Sequence, residues 1–238
     1  MIVRSSLLAL LLACTSPALA VEAAAPSSTE VLFEQQFPLT RGTLAKDFPR
    51  DLVALQREFA EIDSTEISPQ LKLQRAFLSL TGLRKIYAPK LQFARTDLSA
   101  LVVLSLSGFY DAVLRNEGTA VCNGFAIDGA ATLYTLGLEQ RYGLDLDRQA
   151  AAYFSAVASA FEDPDVVGPA SEADWKQVMG RIVSEGHPAS YVVSIAAANR
   201  NDPDLCPAVS ALLHAMVAVK SDAAPRVRAE FIQGTTGY

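Results

Sequence analysis

The stretch Leu98-Ser-Ala-Leu-Val-Val-Leu-Ser-Leu-Ser-Gly-Phe-Tyr110 is apolar throughout and contains no charged side chain. Its large apolar residues surround a helix instead of forming one stripe, which is the pattern of a helix buried on all sides. The run is too short to cross a lipid bilayer. It therefore predicts a buried central helix in a globular protein. The residues concerned are Leu101, Val102, Leu104, Leu106 and Phe109.

The composition of the whole chain also favours helices. Hydrophobic residues make up 50% of the 238 residues, but aromatic residues only 8%. Ala, Leu and Val dominate, and this composition suits closely packed helices better than a sheet sandwich. The length is sufficient for one domain with a sizeable core. We predict an all-α, single globular domain of about seven or eight helices around buried apolar central helices.

Two amphipathic helices are predicted before the central segment. Asp47-Phe-Pro49 supplies a cap and an early proline, and Ser68-Pro69 repeats this start signal. Apolar residues follow each start at helical spacing, so we expect the two helices to form a hairpin. The apolar positions are Leu52, Leu55, Phe59 and Ile62, followed by Leu73, Phe77, Leu80 and Leu83.

Glycines interrupt the apolar sequence after the central segment, at five positions from Gly118 to Gly143. Because glycine allows close approach but weakens a helix, this glycine-rich segment predicts one broken or two short core helices, or alternatively the wall of a cleft. Ser171 and Asp174 have the spacing of a capping box at a later helix start. The helices predicted further along the chain cover about 147–161, 171–184, 189–198 and 207–219.

The chain begins with the features of an exported protein. Arg4, the apolar run 7–13 and the Ala18-Leu-Ala20 motif match the three parts of a secretory signal peptide. The predicted organisation is a signal peptide at 1–20, a flexible Ala/Ser/Pro-rich linker and lead-in at 21–46, a helical domain at 47–232 and a disordered tail at 233–238.

A second cleavage site overlaps the first. Leu11-Leu-Ala-Cys14 resembles the lipobox of bacterial lipoproteins, in which the cysteine is acylated and becomes the new N-terminus. Few residues precede Cys14 and the Ala-x-Ala site is well formed, so we favour a soluble periplasmic or secreted product. The alternative is a membrane-anchored lipoprotein attached through Cys14. No transmembrane span is expected after signal cleavage.

Two further cysteines, Cys122 and Cys206, remain in either mature product. Thiols in an exported protein are open to oxidation, and the even count favours a disulfide between them. The alternative is two buried thiols that act as small hydrophobic side chains.

Strong catalytic and cofactor signatures are absent from the sequence. It contains no Cys-x-x-Cys, His-Glu-x-x-His, Gly-x-Ser-x-Gly, Ser-x-x-Lys or Gly-x-Gly-x-x-Gly pattern. The only two histidines, His187 and His214, are too far apart to form a local metal pair. His214 has an apolar context typical of a hydrogen-bonded core or boundary residue. We therefore predict no metal and no cofactor.

Three residues are weak candidates for catalysis: Asp128, Glu117 and His187. Asp128 is the only charged residue between Glu117 and Glu139, and burial without a partner would make it a general acid. Alternatively, Asp128 caps the helix that follows it. His187 lies between glycine and proline, where an exposed position at a helix start is expected.

Charge is distributed unevenly along the chain, whose formal net charge is −6. No acid occurs between Glu66 and Asp97, whereas eight acids occur from Glu139 to Asp174. Aromatic residues lie within the basic stretch, but export and net acidity argue against nucleic acid as the partner. We expect an envelope protein or an anionic envelope surface, or else a solvated face neutralised within the fold. The binding candidates are Arg84, Lys85, Tyr87, Lys90 and Arg95.

These features favour a non-catalytic, protein-binding module of the cell envelope, such as an inhibitor, an immunity factor or an assembly accessory. One alternative is a carrier of a small apolar or lipid-like ligand, held in a cavity that the glycine-rich segment opens between helices. A second alternative is a hydrolase of envelope material that uses Asp128 or Glu117 with His187.

Overall fold

The computed structural model describes residues 26–235, in which α-helices alternate with short connections and no strand occurs. The all-α prediction is confirmed, but this range contains twelve α-helices instead of seven or eight. They are α1 (Ser28–Gln36), α2 (Pro38–Asp47), α3 (Pro49–Asp63), α4 (Pro69–Tyr87), α5 (Thr96–Glu117), α6 (Thr119–Asp128), α7 (Ala131–Thr135), α8 (Gly143–Glu162), α9 (Glu172–Ser184), α10 (Ser190–Ala197), α11 (Leu205–Ala218) and α12 (Ala223–Thr235). A 3₁₀ helix, Ala88–Phe93, lies between α4 and α5.

Helix α5 occupies the centre of the molecule, as its apolar sequence predicts. It packs most extensively against α8 and α11, with α6 and α12 beside it. Val103 and Val113 are fully buried, but Leu101 and Leu104 are 50% and 49% exposed. The prediction of burial on all sides is therefore wrong for one side of α5. Among the described residues, α5 is also the one helix long and apolar enough to cross a membrane by length and composition.

The predicted hairpin is confirmed: α3 and α4 pack against each other, and all eight of their predicted apolar positions are buried. The Ser68 hydroxyl accepts a hydrogen bond from the Leu71 amide at 3.3 Å, so Ser68 caps α4. Asp47 does not cap α3, because it belongs to the last turn of α2 and Phe48 takes the N-cap position without a side-chain bond.

The glycine-rich segment forms two short helices, α6 and α7, as predicted. Gly129 separates them with a φ of +62°, a conformation that residues with a Cβ rarely adopt. Ser171 and Asp174 form the predicted capping box at the start of α9, where each side chain accepts a hydrogen bond from the other residue's amide.

The lead-in at 21–46 is not a flexible linker throughout. Residues 28–47 fold into α1 and α2, and Phe33 and Phe37 are 1% and 0% exposed. Their rings pack against Phe59 and Phe77 at centroid distances of 5.0 and 5.9 Å. The linker prediction is wrong here, because two phenylalanines four residues apart give this polar segment one face that the core can bury.

The C-terminal end of the chain also differs from its prediction. Residues 233–235 belong to α12 and not to a disordered tail. The predicted signal peptide, the Cys14 lipidation site and residues 236–238 lie outside the described residues.

The N-terminal helices are held to the core by two carboxylates from distant parts of the chain. Asp147 of α8 is fully buried and accepts hydrogen bonds from the amides of Leu39 and Thr40, at 2.9 and 2.8 Å. These amides belong to the first turn of α2, which has no capping side chain of its own. Asp147 is therefore a cap supplied from 107 residues away.

Asp63, at the end of α3, holds the first turn of α1 in a similar way. Its carboxylate accepts hydrogen bonds from the Thr29 amide at 3.0 Å and the Thr29 hydroxyl at 2.5 Å. Ser28 and Lys72 donate to the same carboxylate. Burial opposes ionisation of Asp63, but these donors outweigh it and hold the pKa well below its usual range.

We expect Asp63→Asn to make the protein less stable at pH 7 by about 1–2 kcal/mol and less sensitive to acid. Because the folded-state pKa is depressed, the stabilisation from Asp63 is complete above the unfolded value of 3.8 and is lost as the pH falls below it. Melting temperatures of the two proteins should therefore differ by a constant amount from pH 7 to about pH 4.5 and converge only as the pH falls from there toward about 2. Glu58→Gln, an exposed change on the same helix, is the control; a constant difference across the whole range would contradict the prediction.

The predicted disulfide joins α6 to α11. Cys122 and Cys206 are fully buried, their Cα atoms lie 5.7 Å apart, and their sulfur atoms are within bonding distance. Asn123 strengthens the same connection, because its side chain donates to the carbonyls of Arg200 and Asp202 and accepts from the Cys206 amide. Asn123 thereby fixes the loop that leads into α11.

Candidate ligand-binding cavity

Asp128 is neither a buried acid nor a helix cap. It ends α6, its side chain is 42% exposed, and it forms an ion pair with Arg200. Helix α7 begins after Ala130 without any side-chain cap. Both predictions for Asp128 are therefore wrong, because Arg200 on the loop before α11 supplies a partner that local sequence does not reveal.

The other catalytic candidates lie apart from Asp128 and from each other. Glu117 accepts hydrogen bonds from the Tyr142 hydroxyl, at 2.8 Å, and from Arg141, and these donors lower its pKa. This environment favours a permanently ionised carboxylate over a general acid. His187 is exposed before α10, as predicted, with its ring stacked on Tyr191 at 5.6 Å. Asp128 and His187 line different surface grooves, and Glu117 lines neither.

His214 belongs to a polar cluster between α5 and α11; it is hydrogen-bonded, as its context predicts, but its side chain is 51% exposed, so it is not a core or boundary residue. Its Nε2 lies 2.9 Å from an Asp111 carboxylate oxygen and 3.1 Å from the Ser107 hydroxyl. The Ser210 hydroxyl donates to the other Asp111 oxygen. Serine, histidine and aspartate meet here, but Asp111 and Ser107 both approach Nε2 and Ser107 is fully buried. The arrangement therefore lacks both the relay geometry and the accessible nucleophile of a catalytic triad.

The five binding candidates do not form one exposed face. Tyr87 donates its hydroxyl proton to Asp51 at 2.8 Å, and burial together with this bond raises its pKa to about 12. Arg95, which precedes α5, pairs with Asp97 in the first turn of that helix at 2.8 Å. Lys85 and Lys90 are exposed, with the Lys90 ammonium 5.5 Å from the centre of the Phe161 ring. The prediction of a basic surface is wrong for Arg84, which points inward.

Arg84 lines a cavity of about 80 Å³ between α4, α5, α6, α8 and α12. Its wall is largely aromatic and aliphatic, and α6 together with the turn after it supplies Phe125, Ala126, Gly129 and Ala130. The glycine-rich segment therefore forms two short helices and also contributes to the wall of a cleft, so both alternatives describe it. The remaining lining residues are Phe77, Arg84, Leu106, Phe109, Tyr110, Leu146, Gln149, Phe231 and Thr235.

Arg84 is a buried cation in this cavity. It is 9% exposed, and its guanidinium carbon lies 4.7 Å from the centre of the Tyr153 ring. Burial lowers its pKa to about 10, only partly offset by Tyr153. Within residues 26–235, the buried Nε has no hydrogen-bond partner and no carboxylate pairs with the guanidinium. Buried cations are normally paired or hydrogen-bonded; the buried Arg228 donates to two carbonyls, whereas the Nε of Arg84 has no such acceptor within residues 26–235.

Two further polar side chains reach the cavity. Gln149 lies one turn before Tyr153 on α8 and is 7% exposed, and Thr235 comes from the last turn of α12. Arg84 is the one charged residue among the described residues that line the cavity. One indication of this arrangement was present in the sequence: Arg84 follows the apolar positions Phe77 and Leu80 by seven and four residues, so it lies on the same face of the helix.

The cavity can therefore hold a small group that combines apolar surface with hydrogen-bond acceptors. No catalytic nucleophile or acid–base pair is built into its wall, and in the described part of the chain no cluster of side chains is suited to a metal ion. Comparisons of the chain with protein-family models, with curated proteins and with solved structures found no match.

Proposed function

We propose that this protein is an exported, non-catalytic carrier or receptor that binds a small, mainly apolar ligand in the cavity between α4, α5, α6, α8 and α12. The observation that carries the proposal is the buried Arg84, which no acid within residues 26–235 pairs with, in a wall formed mainly by aromatic and aliphatic residues. An apolar cavity with a few convergent polar groups is the usual form of a small-molecule site. Export is proposed from the signal sequence at 1–20.

The structure weakens the support for a protein-docking function. That function depended on a basic surface, but Arg84 is buried, Tyr87 is bonded to Asp51 and Arg95 is neutralised by Asp97. Two lysines remain exposed, and isolated surface charges contribute little to specific binding. A ligand in the cavity accounts for Arg84, whereas a docking surface does not.

A hydrolase function has less support again. Asp128 and Glu117 are held in ion pairs with Arg200 and Arg141, and His187 lies in a separate groove. General acid–base catalysis requires such groups to reach one substrate together. Their positions offer no shared reaction site.

We expect the chain from Val21 onward to bind a small apolar probe saturably, with one molecule per chain. The probes are hexanamide and hexanoate, titrated by calorimetry, with native mass spectrometry of the freshly purified protein to detect a retained small molecule. Ala126→Leu should weaken probe binding at least about tenfold, because the larger side chain fills a cavity of about 80 Å³.

Ala120→Leu is the matched control, since Ala120 lies on the same helix but is exposed and outside the cavity. It should bind both probes as the unmodified protein does. If the folded protein retains no small molecule and binds neither probe, the proposed function is wrong. If Ala120→Leu weakens binding as much as Ala126→Leu, the binding site is not this cavity.

A further inference from the structure

We infer that the ligand is a monocarboxylate whose charged end pairs with Arg84 while its apolar body lies against the aromatic wall of the cavity. This inference rests on the proposed binding function and specifies the chemical class of the ligand.

The charge balance of the site indicates an anion. Arg84 is 9% exposed, and within residues 26–235 no acid neutralises it. A buried guanidinium without a counter-charge is unfavourable, and an anion in the cavity would relieve that cost. Since Arg84 is the single charged residue that residues 26–235 contribute to the lining, a singly charged ligand balances the site.

The geometry of Arg84 indicates a planar acceptor. The guanidinium carbon lies over the Tyr153 ring, 4.7 Å from its centre, and the guanidinium carries its N–H donors in one plane. The Nε lacks a hydrogen-bond partner within the described range but is closed off from the cavity, so a ligand would meet the guanidinium at its terminal nitrogens. A carboxylate has two oxygens in one plane and can accept two parallel hydrogen bonds from such a group.

The size and lining of the cavity indicate the rest of the ligand. A cavity needs about 10–15 Å³ to hold one water molecule, which has a single non-hydrogen atom. A cavity of about 80 Å³ therefore has room for about five to eight non-hydrogen atoms. Phe109, Phe125, Leu106 and Leu146 face this space, and Gln149 adds one polar group. A short aliphatic monocarboxylate satisfies the volume, the apolar wall and the charge together.

The test compares hexanoate with its neutral isostere hexanamide by calorimetry on the chain from Val21 onward. We expect hexanoate to bind about tenfold to a hundredfold more tightly than hexanamide. Arg84→Met should reduce hexanoate affinity to that of hexanamide and leave hexanamide affinity within about twofold, which also shows that the cavity is intact. Arg84→Lys should give an intermediate preference, because the charge remains but the paired donors are lost.

Lys85→Met is the matched control, since it removes an exposed cation from the neighbouring position of α4 without changing the cavity. It should keep the full preference for hexanoate. Equal binding of the two probes by the unmodified protein, or an unchanged preference in Arg84→Met, would overturn the inference and leave the proposed function standing. Binding of neither probe would instead remove the proposed function itself.

Discussion

Replacement of Asp147 by alanine is expected to lower the free energy of unfolding by about 3–5 kcal/mol, because it removes two charge-assisted hydrogen bonds from a fully buried site. The amides of Leu39 and Thr40 would lose their acceptors. The hydrogen bond that the Thr40 hydroxyl donates to the Asp147 carbonyl, at 3.1 Å, would weaken as the two helices separate. Helix α2 should separate from α8 first, since its N-terminus has no cap of its own. Denaturant unfolding measures the loss, and hydrogen exchange in 28–47 locates it.

Asp145→Ala is the matched control, because Asp145 lies two residues earlier on α8 and contacts neither amide. It should cost less than about 1 kcal/mol, mostly through its favourable position in the first helical turn. Asp147→Asn should be intermediate, since an amide keeps one acceptor oxygen. A loss in Asp147→Ala no greater than that in Asp145→Ala would show that Asp147 does not hold α2 to the core.

Removal of the bond between Cys122 and Cys206 is expected to lower stability by about 4 kcal/mol. The two cysteines are 84 residues apart, and a cross-link that closes so long a loop strongly restricts the unfolded chain. The Cys122→Ala/Cys206→Ala variant should show the loss in denaturant unfolding. Cavity formation adds to it, because both side chains are fully buried.

A reducing agent provides the control for this experiment. It should destabilise the unmodified protein by a comparable amount and leave the double variant unchanged. Alkylation of the unfolded, unreduced protein tests the bond directly: incorporation of two alkyl groups would show free thiols and contradict the prediction.

Sequence predicted the parts of this fold that depend on local pattern. The α3–α4 hairpin follows from apolar residues at helical spacing after Ser68 and Pro49, and the start of α9 follows from Ser171 and Asp174. The cysteine pair followed from counting. In each case the deciding interaction is either within one helix turn or set by composition, so a single chain contains the information.

The parts that sequence did not predict depend on contacts between distant residues. The sequence of α1 and α2 resembles a linker. These helices depend on Asp63 and Asp147, which accept hydrogen bonds from their first turns and lie 34 and 107 residues further along the chain. Asp128 looks isolated until Arg200 approaches it. These partners are fixed by tertiary packing, and no local rule identifies them.

The candidate site shows the same limit more sharply. Arg84 and Lys85 are adjacent basic residues, and the basic stretch that contains them predicts a surface position for both. Successive residues of a helix point in different directions, so α4 directs Arg84 into the cavity and leaves Lys85 in solvent. Position around a helix, relative to apolar neighbours such as Leu83, was the signal that could have separated them.

The length and apolar composition of α5 affect the membrane crossing that the proposed export requires. A chain that crosses a membrane unfolded passes through a channel that opens sideways to lipid, and a segment as long and apolar as Thr96–Glu117 can leave by that opening. Ser99, Ser105 and Ser107 reduce the gain from such an escape, because each hydroxyl prefers water or a hydrogen-bonded interior to hydrocarbon. In the folded protein, Ser99 and Ser105 bond carbonyls of their own helix at 3.0 and 2.8 Å, and Ser107 contacts His214. If the chain is exported as proposed, these serines would oppose loss of α5 into lipid, and in the folded protein the same hydroxyls are hydrogen-bonded.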